Sequence, residues 1–429
     1  MTRLSRYSEV SDDYRVPRTM QAVVLSGVGE ENLKLTTVDV PEYGDGQILA
    51  RVDAAVACAS DNKFIDQGSS HPLLYGWDVQ KYPRIIGHEG AITVVKVGKN
   101  LAGKYKIGQR FAIQPAVPRG PSHYKERYRD NAKGINKVAM GYTLPGLLAE
   151  YVLIMEETIE AGCLLPIQDD RIPYFAAALA EPISCAIAAQ ERMVHFRRND
   201  SSIEPQVELG PKTGGTTLVM GDGPMGLMNA EIAMSRHPKA VIVSGHHQGR
   251  LESIRQALSE RAKKQGIRLV CVLSEQISEA LAEVMVGAGA DDVIVAVGDP
   301  SAHEAALRYL APRGVVHFFG GIPSNSKMVR IDSHRIHYDG VSIVGSSGSE
   351  PPHVAATLQM MSEAQIAPGN YIEKCGGMDA VVPLIHALRQ RQINGKGAIY
   401  PHARSPLFDV EGWDLAKEKV FLEKRLVSC

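Results

Sequence analysis

The stretch that most limits how this chain can fold is TTLVMGDGPMG, Thr216 to Gly226. A short β-branched apolar run passes through glycines directly into an apolar segment opening at Pro224. Behind it the same texture repeats. AVIVS (240–244) precedes a helical pattern from Gly249, and RLVCVL (268–273), DDVIVAV (291–297), GVVHFFG (314–320) and VSIVGS (341–346) are short apolar runs separated by helical stretches. Alternation of this kind requires a parallel sheet with helices on both faces. GDGPMG fits G-x-G-x-x-G in the context that gives the pattern meaning, after a strand and at the start of a helix. Gly221 allows the tight turn, Gly223 lets a pyrophosphate approach the backbone, and Gly226 lets helix and strand pack closely. Pro224 and Met225 open the helix, whose free N–H groups and partial positive charge suit phosphates.

The second strand end bears on which dinucleotide. NAD sites place an acid there for the ribose 2′-hydroxyl. Here the strand reads Val241-Ile242-Val243-Ser244-Gly245-His246-His247, and the acid position is Gly245. No carboxylate is left at that strand end to repel a 2′-phosphate, and Ser244, His246, His247 and Arg250 are candidate partners for one. This favours NADP, although Gly245 also tolerates NAD. Val297, Gly320 and Ser346 fall where strands of such a sheet end, so coenzyme contacts are expected there.

At 429 residues the chain exceeds what one hydrophobic core supports, so two domains are expected. Forty-seven basic against 48 acidic residues, a formal charge of −1, give no electrostatic reason to bind nucleic acid or an anionic membrane. No apolar run reaches the ~20 residues of a bilayer span. The opening MTRLSRYSEVSDDYR lacks an apolar core, which predicts no secretory signal. The six scattered cysteines read as reduced thiols of a cytoplasmic protein. The polar, Pro/Gly-punctuated segment Asn199–Thr213 reads as a surface loop. Arg119–Lys137 carries six basic against two acidic residues; it is either a solvated excursion or a patch for an anionic substrate or another subunit.

The first half is strand-rich. Gln47–Cys58 alternates, placing Ile48, Ala50, Val52, Ala54 and Val56 on one face. Ala91–Val97 and Leu147–Ile154 are further strands. Three local signals stand among them: Cys58-Ala59-Ser60-Asp61 after a strand, Gly87-His88-Glu89-Gly90 before one, and Ala180-Glu181-Pro182 further on. Thiolate, imidazole and carboxylate are the ligand types of a catalytic zinc, which keeps one position open. Singly, each is as well explained by core packing or a polar surface.

Taken in order, Cys-x-Ser-Asp, Gly-His-Glu-Gly before a strand ending VKVG, LLAEYV, AEP and strand–GxGxxG–helix resemble the medium-chain zinc-dependent alcohol/polyol dehydrogenase superfamily from about residue 20 to 400. The closest likeness is to its sorbose-1-phosphate reductase and sorbitol dehydrogenase types. The resemblance implies an α/β chain with a GroES-like β-rich catalytic domain (1–185), a Rossmann-like doubly wound coenzyme domain (186–345) and a return to the catalytic domain (346–429). It implies Cys58 and His88 as zinc ligands, Glu89 as ligand or close neighbour, Glu181 as a carboxylate ligating directly or through water, and Ser60 as the hydroxyl relaying a proton. One catalytic zinc is expected. A structural zinc is not, because QPAVPRGPSHYKERYRDNAKGINK holds no cysteine where the family carries four.

The implied reaction is hydride transfer between NAD(P)(H) and a polyol or ketose, with a sugar phosphate such as L-sorbose 1-phosphate/glucitol 6-phosphate as substrate. Lys63, Arg84, Arg110, Arg119 and Arg313 are candidates for the phosphate. A homo-oligomer, dimer or tetramer, is implied. Two other readings stand beside this one. One is a zinc-free quinone or enone reductase of the same superfamily; the other is a non-catalytic nucleotide sensor.

Overall fold

The computed structural model describes residues 2–197, 204–284, 289–322 and 326–427. The chain packs as two compact units, Met1–Glu181 with Glu350–Cys429, and Pro182–Ser349. The breaks fall between Glu181 and Pro182 and between Ser349 and Glu350 rather than after 185 and 345.

The first unit is built on a mixed sheet ordered Leu164–Pro166, Arg110–Ile113, Glu89–Val97, Ile48–Val56, Lys396–Tyr400, Ile372–Gly377, Phe408–Asp409, with Tyr151–Ile154 also paired to Ile48–Val56. The C-terminal return therefore supplies strands to the sheet begun by the first half. Ile48–Val56 lies at its centre and departs from the expected one-sided alternation, because all nine positions are buried. The polar face is covered too. Arg51 pairs with Asp53 at 2.7 Å and lies over the Tyr7 ring, while the Thr93 hydroxyl donates to Asp53 at 2.6 Å. Buried charges persist when paired and hydrogen-bonded in this way. The strand expected over Leu147–Ile154 begins only at Tyr151. Ile372–Gly377 and Lys396–Tyr400 were not expected as strands at all.

The second unit carries a six-stranded parallel sheet ordered Arg268–Leu273, Ala240–Gly245, Thr216–Met220, Ala290–Val295, Leu310–Phe318, Ser342–Gly345. Numbered along the chain this is 3-2-1-4-5-6, the doubly wound order whose crevice opens at the carboxyl ends of the strands. Thr216–Met220, Ala240–Gly245 and Ala290–Val295 are buried throughout, as strands covered on both faces must be. The expected loop over Asn199–Thr213 is partly strand. Gln206–Leu209 pairs antiparallel with Val194–Arg197, and residues 199–203 lie outside the described residues. Among the described residues no helix is long and apolar enough to cross a membrane.

Candidate functional site

Strand register builds one site. Ile48–Val56 runs antiparallel to Glu89–Val97, with Val56 opposite Glu89, and antiparallel to Lys396–Tyr400, with Val56 opposite Ala398. Cys58 lies two residues past Val56 and His88 one before Glu89. Adjacent antiparallel ends thus bring Cys58, His88, Glu89 and Lys396 to one edge of the sheet.

Cys58 caps the helix Ala59–Gln67, and its backbone N–H donates to Asp61 Oδ2 at 3.0 Å. This is the backbone half of a capping box. The other oxygen, Asp61 Oδ1, lies 3.1 Å from His88 Nδ1. A carboxylate on one imidazole nitrogen fixes the ring and leaves the opposite nitrogen for a metal. Burial opposes charge on His88, but the Asp61 carboxylate and Cys58 outweigh it and hold its proton affinity well above the ordinary histidine value. The Ser60 hydroxyl donates to Cys58 Sγ at 3.1 Å and lies 3.2 Å from His88 Nε2. Ligand atoms of Cys58, His88 and Glu89 all fall within 4.8 Å of one another. A thiol and an imidazole meeting beside a hydroxyl, with a carboxylate behind the imidazole, is a donor set zinc accepts.

Glu89 carries a second bond. Both its oxygens accept from the buried Lys396 ammonium, at 2.6 and 2.7 Å. Burial works against the Lys396 charge, and Glu89, Cys58 and Glu181 outweigh it and raise its pKa. Glu181, itself buried, therefore lies within electrostatic reach of Lys396, but it is not among the three residues whose ligand atoms cluster. Lys396, Asp61 and Tyr142 are residues here to which the motifs gave no role. Asp61 was legible as a carboxylate three residues after a helix-capping position. Lys396 had no local signal, being 307 residues from its partner. Tyr142 is a further addition: its ring stacks 5.0 Å from His71 and lies 5.8 Å from His88, and its hydroxyl hydrogen-bonds Ser60.

In the second unit the helix Pro224–Met234 starts directly after the glycine turn. Gly221 adopts φ +140, and a Cβ on Gly226 would lie 2.0 Å from the Gly221 carbonyl oxygen; both positions need glycine. A Cβ on Gly223 would meet nothing within 4 Å, so this backbone is open to an approaching group. Gly320 presses on the Val297 backbone, where a Cβ would come within 2.2 Å. The Ser346 hydroxyl lies 3.1 Å from His317 Nε2. Met225 is only partly buried in the helix's first turn.

The strand end differs from its sequence reading in two respects. Ser244 is buried, with its hydroxyl turned to the Val219 carbonyl at 3.5 Å, because at that position the pleat points into the sheet. And a carboxylate does stand at this strand end: Asp222, the residue between Gly221 and Gly223. Its Oδ2 accepts from the His246 and His247 backbone N–H groups at 2.9 and 2.8 Å and from His247 Nδ1 at 2.9 Å. Arg250 Nη1 lies 3.7 Å from Oδ1. The carboxylate fills the space Gly245 leaves, since a Cβ there would lie 2.3 to 2.4 Å from Asp222 side-chain atoms.

The basic segment 119–137 is tied to its own unit. Arg119 pairs with Glu160, and the Arg127 guanidinium lies 4.0 Å over Tyr124 and 4.3 Å over Tyr82. Of the phosphate candidates, Arg84 donates to the Tyr142 and Thr143 carbonyls and Arg110 to the Ile172 carbonyl. Lys63 is exposed on the helix begun by Cys58, near His71. A second ligand-type grouping, His123 with Glu156 and Glu157, lies in and beside the cysteine-free segment. Glu156 there accepts from His123 and Gln47, and Glu157 from the Ser122 N–H, which braces the loop.

These two geometries agree with two family models. The alcohol dehydrogenase GroES-like domain matches residues 44–164 and the zinc-binding dehydrogenase domain residues 224–363. The chain belongs to the zinc-binding, medium-chain alcohol dehydrogenases. It is accordingly an enzyme, with the GroES-like and Rossmann-like folds of that family. Escherichia coli K12 YggP is 32% identical over 90% of this chain and 88% of its own length. The mannitol-1-phosphate 5-dehydrogenase of Aliivibrio fischeri is 29% identical over 92% and 90%. The L-sorbose 1-phosphate reductase of Klebsiella pneumoniae is 28% identical over 82% of each chain. Among solved structures, a zinc-binding dehydrogenase of Sinorhizobium meliloti 1021 bound to NADP superposes with a TM-score of 0.69 at 20% identity, covering 90% of this chain and all of that one. The 2R,3R-butanediol dehydrogenase of Bacillus subtilis gives 0.69 at 19%, covering 89% and 99%; at such identities the likeness speaks for the fold alone.

Proposed function

We propose that this dehydrogenase interconverts a polyol and a ketose with NAD(P)(H), and that its substrate is a sugar phosphate of the L-sorbose 1-phosphate/glucitol 6-phosphate kind. The observation that carries the reading is the meeting of Cys58 and His88 beside Ser60, with Asp61 behind the imidazole, in a chain that also holds the glycine turn. Cys58 and His88 would hold one catalytic zinc, with Glu89 or Glu181 as the carboxylate. Bound there, zinc supplies Lewis-acid stabilisation of an alkoxide and NAD(P) accepts or donates the hydride.

The remaining work falls to the chain's own groups. Ser60, hydrogen-bonded to Cys58, His88 and Tyr142, moves the substrate's hydroxyl proton; the Tyr142 phenol, its pKa raised by burial, keeps its own proton. Asp61 orients His88. Lys396 compensates the charge gathered by Cys58, Glu89 and Glu181, and its two bonds to Glu89 would govern how much of that carboxylate is left to hold a metal. The glycine turn, Val297, Gly320 and Ser346 would bind the coenzyme, with His246 and Arg250 at its adenosine end; with the Asp222 carboxylate standing at that strand end, the coenzyme is NAD or NADP. Curated relatives named for mannitol 1-phosphate, L-sorbose 1-phosphate and D-arabitol phosphate support the phosphate ester. Five free cysteines among the described residues support a cytoplasmic setting, and a homo-oligomer is the expected assembly.

The test is a panel of hexitols, ketoses and their phosphates with all four coenzyme forms, with zinc measured on the same sample. Turnover of a hexitol phosphate or ketose phosphate by protein carrying near one zinc per chain is expected. Turnover of quinones or enones by zinc-free protein would replace this reading.

A further inference from the structure

Away from Cys58 and His88, the first unit gathers metal-binding chemistry at one other place, where the 118–124 loop meets the helix Glu156–Glu160. We propose that His123, Glu156 and Glu157 form a second metal site there, for a divalent cation of the Mn2+ or Zn2+ kind, and that the cation ties the loop to the helix. The site shares no residue with the one already described, and the proposal does not depend on the reaction assigned above.

Three observations carry it. The first is convergence. Ligand atoms of all three residues lie within 4.8 Å of one another, and His123 Nε2 is 2.9 Å from Glu156 Oε2. Metal–ligand bonds of about 2.0–2.2 Å hold donor atoms roughly 3–3.5 Å apart, so small side-chain movements close the set. The second is a buried acceptor with nothing to accept. Glu157 is 3% exposed. Its Oε1 accepts from the Ser122 N–H at 2.6 Å, which holds the carboxylate one residue from His123. Its Oε2 is buried and has no hydrogen-bond partner among the described residues. Such an oxygen is costly to bury, and a bound cation satisfies it. The third is charge. Among the described residues neither carboxylate forms an ion pair with a lysine or arginine: Arg119 is turned to Glu160, and Arg127 to Glu126 and the Tyr82 and Tyr124 rings. Two carboxylates beside one imidazole are balanced by a divalent cation. His123 would bind it through Nε2 with the ring proton on Nδ1. Glu156 Oε2, which also accepts from the Gln47 amide at 3.0 Å, has lone pairs for both. Imidazole and carboxylate donors without sulfur accept Mn2+ as well as Zn2+, and a thiolate site takes Mn2+ poorly.

Mn2+ titrated into the full-length protein, carrying the zinc it purifies with, tests this by electron paramagnetic resonance. About one Mn2+ per chain is expected to bind with the zinc content unchanged, and pulsed spectra should show a coordinated nitrogen. E157Q keeps an acceptor for the Ser122 N–H but removes the charge, and should weaken Mn2+ by at least about tenfold. H123Q should do the same and abolish the nitrogen coupling. E160Q, on the same short helix but in an exposed pair with Arg119, should leave the affinity within about twofold of wild type. Mn2+ should raise the Tm of wild type and not that of E157Q, and a cooperative melt of each variant without metal checks its fold. A second zinc in the purified protein, lost in both H123Q and E157Q, would support the site equally. No bound Mn2+ or second zinc, binding that survives both H123Q and E157Q, an equal loss in E160Q, or Mn2+ uptake that releases the zinc would overturn the proposal.

Discussion

The two units solve the problem of placing functional groups in opposite ways. In Pro182–Ser349 the proposed coenzyme site is made mostly of backbone. A glycine turn, a helix start and the ends of parallel strands follow one another closely in sequence, and residue type matters chiefly through what a Cβ would obstruct. In the first unit the site is made of side chains drawn from distant strands, and what matters is the chemistry of each tip: sulfur, imidazole, carboxylate, ammonium. A backbone-built site tolerates many side chains and few changes at glycine. A side-chain-built site tolerates backbone drift poorly and depends on partners that share no sequence neighbourhood.

Each prediction probes one side and reads the other as a control. The largest effect is expected for Cys58→Ala. Losing the thiolate should lower turnover by at least about a thousandfold, several kcal/mol of transition-state stabilisation. Zinc content should fall as well, while calorimetric coenzyme affinity stays within about threefold of wild type. Retained turnover would dissolve the metal assignment. Gly226→Ala is the mirror experiment. Its methyl would stand 2.0 Å from the Gly221 carbonyl oxygen, and the shift needed costs about 1–3 kcal/mol. Coenzyme affinity should drop about ten- to a hundredfold with zinc content unchanged; a normal affinity would show that the turn does not hold the coenzyme.

Asp61→Asn asks whether orientation behind the imidazole matters as much as the ligand. Zinc affinity should fall by about 10- to 100-fold, measured by competition with a chelator, and the helix begun by Cys58 should remain. Equal affinities would reduce Asp61 to a helix cap.

The smallest effect concerns stability. Burial, with Arg51 and Arg404 adding to it, lowers the His402 pKa to about 3, although its hydrogen bond to the Glu150 carbonyl opposes this. Folded His402 thus binds fewer protons than unfolded histidine between about pH 6.5 and 3. Its contribution is present above pH 6.5 and is lost as pH falls through that window, by up to about 1.4 kcal/mol per pH unit. Glu418 works the other way. Burial raises its pKa to about 7, so its contribution is full below the ordinary carboxylate value and is lost as pH rises toward 7. His402→Gln should flatten the acid limb of the urea-denaturation midpoint against pH, and an unchanged limb would assign acid sensitivity to other groups.

Much of the parallel-sheet unit could be read along the chain. The six apolar runs became the six parallel strands, because a strand buried on both faces announces itself as a continuous apolar segment. The glycine turn was legible because its spacing is local. Asp222 was not: a variable position inside the motif gives no sign that its side chain crosses to another strand. In the first unit Cys58, His88 and Glu89 were legible as residue types beside strand ends. Their convergence, and the part taken by Lys396 and Tyr142, were not.

By itself, then, the sequence determined the parallel sheet, the turn and which side chains have metal-binding chemistry, since periodicity and short-range backbone demands act over a few residues. The tertiary structure decided which of those side chains meet, that a lysine from the C-terminal return grips Glu89, and that a carboxylate stands at the second strand end. Sheet register and burial join residues hundreds of positions apart, and no local pattern encodes that pairing.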